Sequence, residues 1–284
     1  VEESAPPKQG PVPGAATALC GIVLHPSGHT RSPAMHNAAF RALGLDAVYL
    51  AFDVPPAALP AAFAGLRALG ARQVAVSIPH KRAVLAELDA VDETARRIGA
   101  ANTATLRDGR LVGSNTDWIG AVRALERETP LAGRRAVVLG AGGTARAVVF
   151  GLRERGARVT VLNRTPERAA ALARELGAEA AGGLDELGAA EHEVLVNTTS
   201  VGLRSDASPV PPEALRPGSV VLDAVYDPER TRLLRDAEAR GARTVPGKWM
   251  LVHQAAAQLE LWTGRRAPIE VMAEAFDAAQ RPGP

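Results

Sequence analysis

Arg135-Ala136-Val137-Val138-Leu139 runs directly into Gly140-Ala141-Gly142-Gly143-Thr144-Ala145, and a helical pattern begins at Arg146. This junction constrains the fold more than any other stretch. A buried apolar strand that ends in a glycine-rich turn and opens a helix is the entry to a βαβ unit, and such a turn cradles a pyrophosphate. Gly140 permits the tight turn, Gly142 lets backbone approach a phosphate closely, and Ala145 lets the helix lie close on the strand. Ala141, Gly143 and Thr144 complete the loop. The first-turn N–H groups and the positive end of the helix dipole add their own attraction for anions.

The same alternation continues in both directions. Apolar, β-branched runs at 18–24, 47–54, 73–78, 136–140, 158–163, 194–197, 219–224 and 243–245 are expected strands. Ala- and Leu-rich stretches at 34–43, 60–69, 82–88, 145–155 and 231–240 are expected helices between them. An α/β chain with mainly parallel sheets, covered on both faces, follows from this order. One stretch differs: Asp108-Gly109, between short runs at 103–106 and 111–113, signals a hairpin. A helix at 118–128 then leads through Thr129-Pro130 into a fresh strand, which puts a domain boundary near that helix.

With 284 residues there is room for two domains. The expected division is 16–117 plus 250–284 for the first and 118–249 for a Rossmann-like, doubly wound second domain. The last helices, at 250–262 and 269–279, are expected to return to the first domain. Pro6, Pro7, Pro11 and Pro13 lead to the expectation of a poorly ordered tail at 1–15.

About 20 residues beyond such a glycine turn, a carboxylate ordinarily holds the ribose 2′-hydroxyl of NAD. Here the next strand ends instead in Asn163-Arg164-Thr165-Pro166-Glu167-Arg168. Arg164 and Arg168 offer planar guanidinium forks to a 2′-phosphate, and no carboxylate stands at the strand end to repel it. NADP is therefore the expected cofactor.

Of the 33 basic residues only Lys8, Lys81 and Lys248 are lysine. In a chain that uses Arg almost everywhere, a retained ammonium marks a place where a compact or titratable charge is needed. Lys8 lies in the tail, and Lys248 is expected at the surface of a helix start. Lys81 closes the block Val76-Ser77-Ile78-Pro79-His80-Lys81. Ahead of it stands Thr30-Arg31-Ser32-Pro33-Ala34-Met35-His36-Asn37. After it come Gly99-Ala100-Ala101-Asn102-Thr103, Asn115-Thr116-Asp117, Asn163-Arg164-Thr165 and Asn197-Thr198-Thr199-Ser200. Asp223-Ala224-Val225-Tyr226 and Met250-Leu251-Val252-His253-Gln254 close the series. In these blocks and in their order, from about Gly21 to Gly264, the chain resembles the shikimate dehydrogenase family.

The resemblance implies NADPH-dependent, reversible reduction of 3-dehydroshikimate to shikimate, in the shikimate pathway of aromatic amino acid biosynthesis. It implies that Thr30 and Ser32 hold the substrate carboxylate. Lys81, Asn102, Asp117 and Gln254 would hold the ring hydroxyls, with Ser77 and Tyr226 nearby. Glu93, Ala224 and Gly247 are implied as lesser cofactor contacts. The residue types suit the chemistry: a polyhydroxylated cyclohexene acid needs many short hydrogen-bonding groups and one or two charges. Hydride delivery to a ketone leaves negative charge on oxygen, which the Lys81 ammonium can stabilise and protonate beside Asp117. Asp117 also stands where it would cap a helix beginning at Trp118. Thr30 replaces a usual Ser, Ala75 a frequent Asn, Ser77 a usual Thr and Trp118 a smaller residue. These departures bear on substrate preference more than on reaction type.

Composition narrows the remaining classes. A net charge of only +2, with no basic block, gives no nucleic-acid footprint. No run of about 18 apolar residues offers a membrane span, and the single Cys20 suits a reducing cytoplasm. A monomer or homodimer is expected. His25, His29 and His36 lack a helix register or a carboxylate cluster, so no metal is expected. Two rivals stay open: a quinate/shikimate dehydrogenase using NAD, against which Arg164 and Arg168 argue, and a non-catalytic NADP(H)-binding sensor, against which the Lys81–Asp117 pair argues.

Overall fold

The computed structural model describes residues 12–279, so residues 1–11 of the expected tail lie outside the described residues. The chain opens with β1 (Ala18–Leu24), α1 (Ser32–Leu43), β2 (Ala47–Asp53), α2 (Leu59–Ala68) and β3 (Gln73–Val76). Next come β4 (Ala90–Val91), α3 (Glu93–Ile98), the hairpin β5 (Thr103–Arg107) and β6 (Arg110–Ser114), and α4 (Asp117–Glu126). The glycine turn follows β7 (Arg135–Leu139) and opens α5 (Gly143–Glu154). Beyond it lie β8 (Arg158–Leu162), α6 (Pro166–Leu176), β9 (Ala180–Gly182), β10 (Val194–Asn197), β11 (Val220–Asp223), α7 (Arg232–Ala239) and β12 (Arg243–Val245). Two helices end the described residues, α8 (Gly247–Thr263) and α9 (Ile269–Ala278).

Two six-stranded sheets organise these elements, in the orders β2-β1-β3-β5-β6-β4 and β12-β11-β10-β7-β8-β9. The second is wholly parallel. Its order reverses between β7 and β10, and α/β sheets bind ligands at the strand ends beside such a reversal. In the first sheet β5 pairs antiparallel to β3 and to β6, the latter because Asp108 and Gly109 both take positive φ (49° and 75°) and close a tight hairpin.

Apolar side chains fill both faces of each sheet. Val138, Val148, Val161 and Leu125 pack on one face of the second sheet, and Leu139, Leu195, Leu233 and Leu234 on the other. The first sheet is covered by Met35, Phe40, Val252 and Phe276 on one side and Phe63, Leu66 and Val84 on the other. Phe276 and Val252 belong to α9 and α8, so the last two helices do pack on the first sheet.

Helix α8 is buried on nearly every side. Gly120 lets α4 approach it, since a Cβ there would meet the Met250 carbonyl at 2.5 Å. Lys248 is a correction to expectation. It is only 8% exposed and bonds both Asp277 oxygens (2.6 and 2.7 Å), tying α8 to α9 beside the Trp249 and Phe276 rings.

The expected helix at 82–88 is only a 3-10 turn, Ala83–Glu87, because Leu88 is already extended to feed β4. No helix among the described residues is long and apolar enough to cross a membrane.

His36 gives the fold a pH signature. It is 1% exposed, lies flat on Tyr49 (centroids 4.1 Å apart, planes at 4°), and its Nε2 has no hydrogen-bond partner among the described residues. Burial pushes its pKa down to about 3. Unfolded, it titrates near 6.5, so between these values the unfolded chain binds the extra proton and stability falls as pH drops. His253 adds to this slope and buried Asp223, pushed up to about 6, opposes it. The difference between His36→Leu and the wild type isolates His36. We expect the variant's stability in urea to gain on the wild type by about 1.4 kcal/mol per pH unit below pH ~6.5. Parallel pH profiles would show that His36 does not titrate this way.

Candidate active site

Gly140 takes φ +111, and a Cβ there would meet Thr198 Oγ1 at 2.7 Å. That contact exists because Thr198 follows β10, the neighbour of β7, and bonds the Leu139 carbonyl through its hydroxyl at 2.6 Å. The glycine turn and the Asn197-Thr198-Thr199-Ser200 segment therefore meet at the order reversal of the second sheet. A cavity of about 380 Å³ opens there, lined by Gly140, Ala141, Gly142, Asn163, Arg164, Thr165 and Arg168. Nothing lies within 4 Å of where a Gly142 Cβ would be. Arg164 and Arg168 are exposed, and neither has a carboxylate within salt-bridge distance among the described residues. An open glycine, two unpaired guanidiniums and the N-terminus of a twelve-residue helix fit a dinucleotide carrying an extra phosphate.

Thr198, Thr199 and Ser200 also line a second cavity of about 170 Å³, so the two share a wall. Thr30, Ser32, Ser77, Lys81, Asp117, Tyr226 and Gln254 line this one, with Thr144, Ala224 and Gly247. The first sheet supplies Ser77 beyond β3, α1 supplies Ser32, α4 supplies Asp117 and α8 supplies Gln254.

Lys81 is the meeting point. Its Nζ donates to Asp117 Oδ2 at 2.6 Å and to Thr144 Oγ1 at 3.2 Å, leaving one N–H for another acceptor. Gly143 backs it, since a Cβ there would lie 2.9 Å from Lys81 Cβ. The glycine turn thus touches the lysine that the first sheet presents. Both members of the pair are largely buried, at 15% and 6% side-chain exposure, where an ion pair is screened less than at the surface.

Asp117 does not cap its helix. It is the first residue of α4; Thr116 holds the cap position and makes no side-chain cap bond. Its carboxylate is occupied by Lys81 and by Asn102 Nδ2 at 2.8 Å. Asn102 also donates to Thr116 Oγ1 (2.9 Å) and Gln254 Oε1 (3.1 Å), while its Oδ1 accepts from Thr116 N at 2.8 Å. Asn102 is 1% exposed and stands behind the cavity wall, fixing Asp117 and Gln254.

Other expected residues fall differently. Glu93 is not brought to either cavity: Asp92 caps α3 through Ala95 N, and Glu93 faces solvent, 71% exposed and paired with Arg96. Gly247 lines the cavity, yet its own backbone surroundings already demand glycine, because a Cβ would meet the Asp223 and Val225 carbonyls at 2.6 Å. Ala75 and Trp118 do not line the cavity. Ala75 packs with Met35 and Val252, and Trp118 sets its ring edge against Phe150 at 5.7 Å. His80 bonds the Val54 carbonyl at 2.8 Å, whereas neither ring nitrogen of His253 has a hydrogen-bond partner among the described residues. No group of three or more His, Cys, Asp or Glu that could hold a metal occurs among the described residues.

His29, Thr198, Thr199 and Ser200 complete the wall, although the family resemblance implies no role for them. Its signal was the Asn197–Ser200 block at a strand end. Arg31, between Thr30 and Ser32, turns away from the cavity: its guanidinium lies 4.4 Å from the Phe276 ring centroid and 3.7 Å from Asp227.

Comparison with known proteins gives consistent matches. Residues 22–104 match the shikimate dehydrogenase substrate binding domain, 123–204 the shikimate / quinate 5-dehydrogenase family, and 247–275 the shikimate 5'-dehydrogenase C-terminal domain. A shikimate dehydrogenase (NADP(+)) of Symbiobacterium thermophilum is 51% identical over 276 residues, covering 92% of this chain and 94% of the relative. Another, of Thermococcus kodakarensis, is 50% identical over 256 residues, covering 88% and 92%. The crystal structure of shikimate 5-dehydrogenase from Thermus thermophilus in complex with NADP(H) and shikimate superposes with a TM-score of 0.87. It is 44% identical and covers 93% of this chain and 100% of that one.

Proposed function

The chain belongs to the shikimate dehydrogenase family, and we propose on that premise that its two adjoining cavities carry out the family's reaction with the residues that line them. The protein is an NADP-dependent oxidoreductase acting on a CH–OH group, interconverting 3-dehydroshikimate and shikimate in aromatic amino acid biosynthesis. The observation that carries the residue assignment is Lys81, bonded at once to Asp117 and to Thr144 of the glycine turn.

NADP(H), when bound, supplies or takes up the hydride. Gly140, Ala141, Gly142, Gly143 and Thr144 would hold its pyrophosphate side, Asn163, Arg164, Thr165 and Arg168 its 2′-phosphate side, with Ala224 and Gly247 nearer the reacting end. In the reducing direction the remaining N–H of Lys81 hydrogen-bonds the substrate oxygen and gives it a proton as charge builds there. Asp117 holds the ammonium in place and accepts from a ring hydroxyl. Gln254 reaches another hydroxyl, held by Asn102 and by its own bond to the Leu251 carbonyl (2.9 Å). Thr30 and Ser32 take the carboxylate; Ser77 and Tyr226 complete the wall. With Ala75 and Trp118 away from the cavity, Thr30 and Ser77 are the departures that act on substrate preference.

The division into a substrate domain (16–117 and 250–284) and a cofactor domain (118–249) is part of this reading, as are a cytoplasmic setting and a monomer or homodimer that engages neither nucleic acid nor membrane. The test crosses shikimate and quinate with NADP+ and NAD+ and follows nucleotide reduction by the purified chain. Turnover concentrated on shikimate with NADP+ is expected. Preference for quinate or NAD+ would overturn the pocket or the 2′-phosphate assignment. Binding of NADP+ with no turnover of any pair would move the chain to a sensing role.

A further inference from the structure

Helices α4 and α8 carry Asp117 and Gln254 into the reaction cavity, and the same two helices wall a separate cavity of about 420 Å³. Arg123 and Glu126 line it from α4, Arg127 from the residue that caps α4, His253 and Glu260 from α8, and Arg266 from the loop beyond. Its carboxylates are already engaged. Glu126 accepts from Arg155 at 3.0 Å, and Glu260 accepts from Ala267 N at 3.2 Å with Arg123 3.8 Å away. Arg127 and Arg266 have no carboxylate partner among the described residues; the Arg127 guanidinium lies 3.9 Å from the Trp249 ring centroid, its donor edge left open. The cavity thus holds more guanidinium donors than carboxylates to answer them.

His253 points to a missing partner more directly. It is only 8% exposed, and both ring nitrogens are buried without any hydrogen-bond partner among the described residues. A buried, unpaired imidazole costs the full desolvation of its polar atoms, and native structures satisfy nearly all such groups. Burial, then Arg127 and Arg123, push its pKa down to about 4, so the ring is neutral at neutral pH. An anion between these groups would reverse that pressure. Ile269, the first residue of α9, also lines the cavity, and that ten-residue helix has no side-chain cap at its N-terminus.

We propose that this cavity binds a small oxyanion of two or more negative charges, a phosphoryl or polycarboxylate group, held by the Arg127 and Arg266 forks over His253. Guanidinium forks match planar or tetrahedral oxyanions bidentately, and the imidazole supplies a donor on one nitrogen and a second donor once protonated. Because α4 and α8 both contribute, the bound anion clamps the helix pair that holds Asp117 and Gln254. Glu126 and Glu260 are the opposing charges on the same two helices, so protonation of His253 shifts the balance toward binding.

The test is calorimetric titration of the full chain with sulfate, glycerol phosphate and citrate at constant ionic strength. NADPH and shikimate are both present and saturating; this pair cannot react and blocks the anion subsites of the reaction cleft. Sulfate keeps its charge between about pH 5 and 8, so its pH dependence reports the protein. Saturable binding is expected, about fivefold tighter near pH 5 than near pH 7.5. Arg127→Gln combined with Arg266→Gln should weaken it about tenfold or more, and His253→Gln should remove the pH dependence. A histidine NMR titration of the wild type should show the His253 pKa rising with sulfate. The phosphate and citrate arms then tell which of the two anion classes fits better. No saturable binding of any of the three, or equal affinity in the double arginine variant, overturns the proposal.

Discussion

Replacing Lys81 by methionine is expected to lower kcat for shikimate oxidation by roughly a thousandfold, with KM changed only a fewfold. The asymmetry follows from what the ammonium touches. In the proposed assignment ground-state binding is spread over Thr30, Ser32, Ser77, Asp117 and Gln254, so no single hydroxyl contact would dominate KM. Charge on the reacting oxygen, by contrast, would be met by one group, the Lys81 N–H left over from its bonds to Asp117 and Thr144. Methionine keeps the stem that packs near Gly143 and deletes only the charge. The partner left behind, Asp117, retains the Asn102 bond and the positive end of α4, so its carboxylate is not stranded entirely. Losing one member of a buried pair still costs about 3 kcal/mol, and the melting temperature should fall measurably. Steady-state kinetics of the folded variant decide the matter. Turnover within threefold of the wild type would remove Lys81 from the reaction, and a loss confined to KM would make it a binding group only.

The parts of this molecule that were legible in the sequence are those written locally. The strand–glycine–helix junction at 135–146, the Asp108-Gly109 turn and the apolar runs of the second sheet each declare themselves within a dozen residues. β4, of two residues, and β9, of three, are too short to show a period, and their pairing depends on strands elsewhere. Lys81 stood out because the chain otherwise avoids lysine. At Lys248 the expectation of a surface position failed, because the ammonium serves Asp277 on the next helix; rarity flagged a needed charge but could not say for what. Asn102 showed its type but not its place behind the wall, because α4 and α8, distant in sequence, converge on it. Glu93 followed its position in the pattern, and only the Asp92 cap, which turns α3, shows why it faces outward. Arg31 and Asp227 lie too far apart in sequence for any pattern to join them.

Arg164 and Arg168 set up the other large effect, on cofactor choice. The double variant Arg164→Ala, Arg168→Ala is expected to lose about a hundredfold in kcat/KM for NADP+ while leaving that for NAD+ nearly unchanged. The magnitude comes from two charge-assisted contacts of about 1.5 kcal/mol each, the low end of their range, because both side chains are exposed and screened. Specificity for the 2′-phosphate follows from the neighbourhood. Many arginines in this chain are spent on surface carboxylates, as Arg158 is on Glu179 and Arg230 on Glu238. Arg164 and Arg168 line the cofactor cavity instead, and Glu167 between them pairs with neither among the described residues. In the proposed assignment the glycine turn would hold only the part common to both cofactors, so NAD+ should not register the change. Raising ionic strength should weaken NADP+ in the wild type and scarcely affect the double variant, since counterions compete for the same phosphate. If instead kcat/KM falls equally for both cofactors, the two arginines support the shape of the loop, and discrimination must reside in Asn163, Thr165 or the Ser208 side of the cavity.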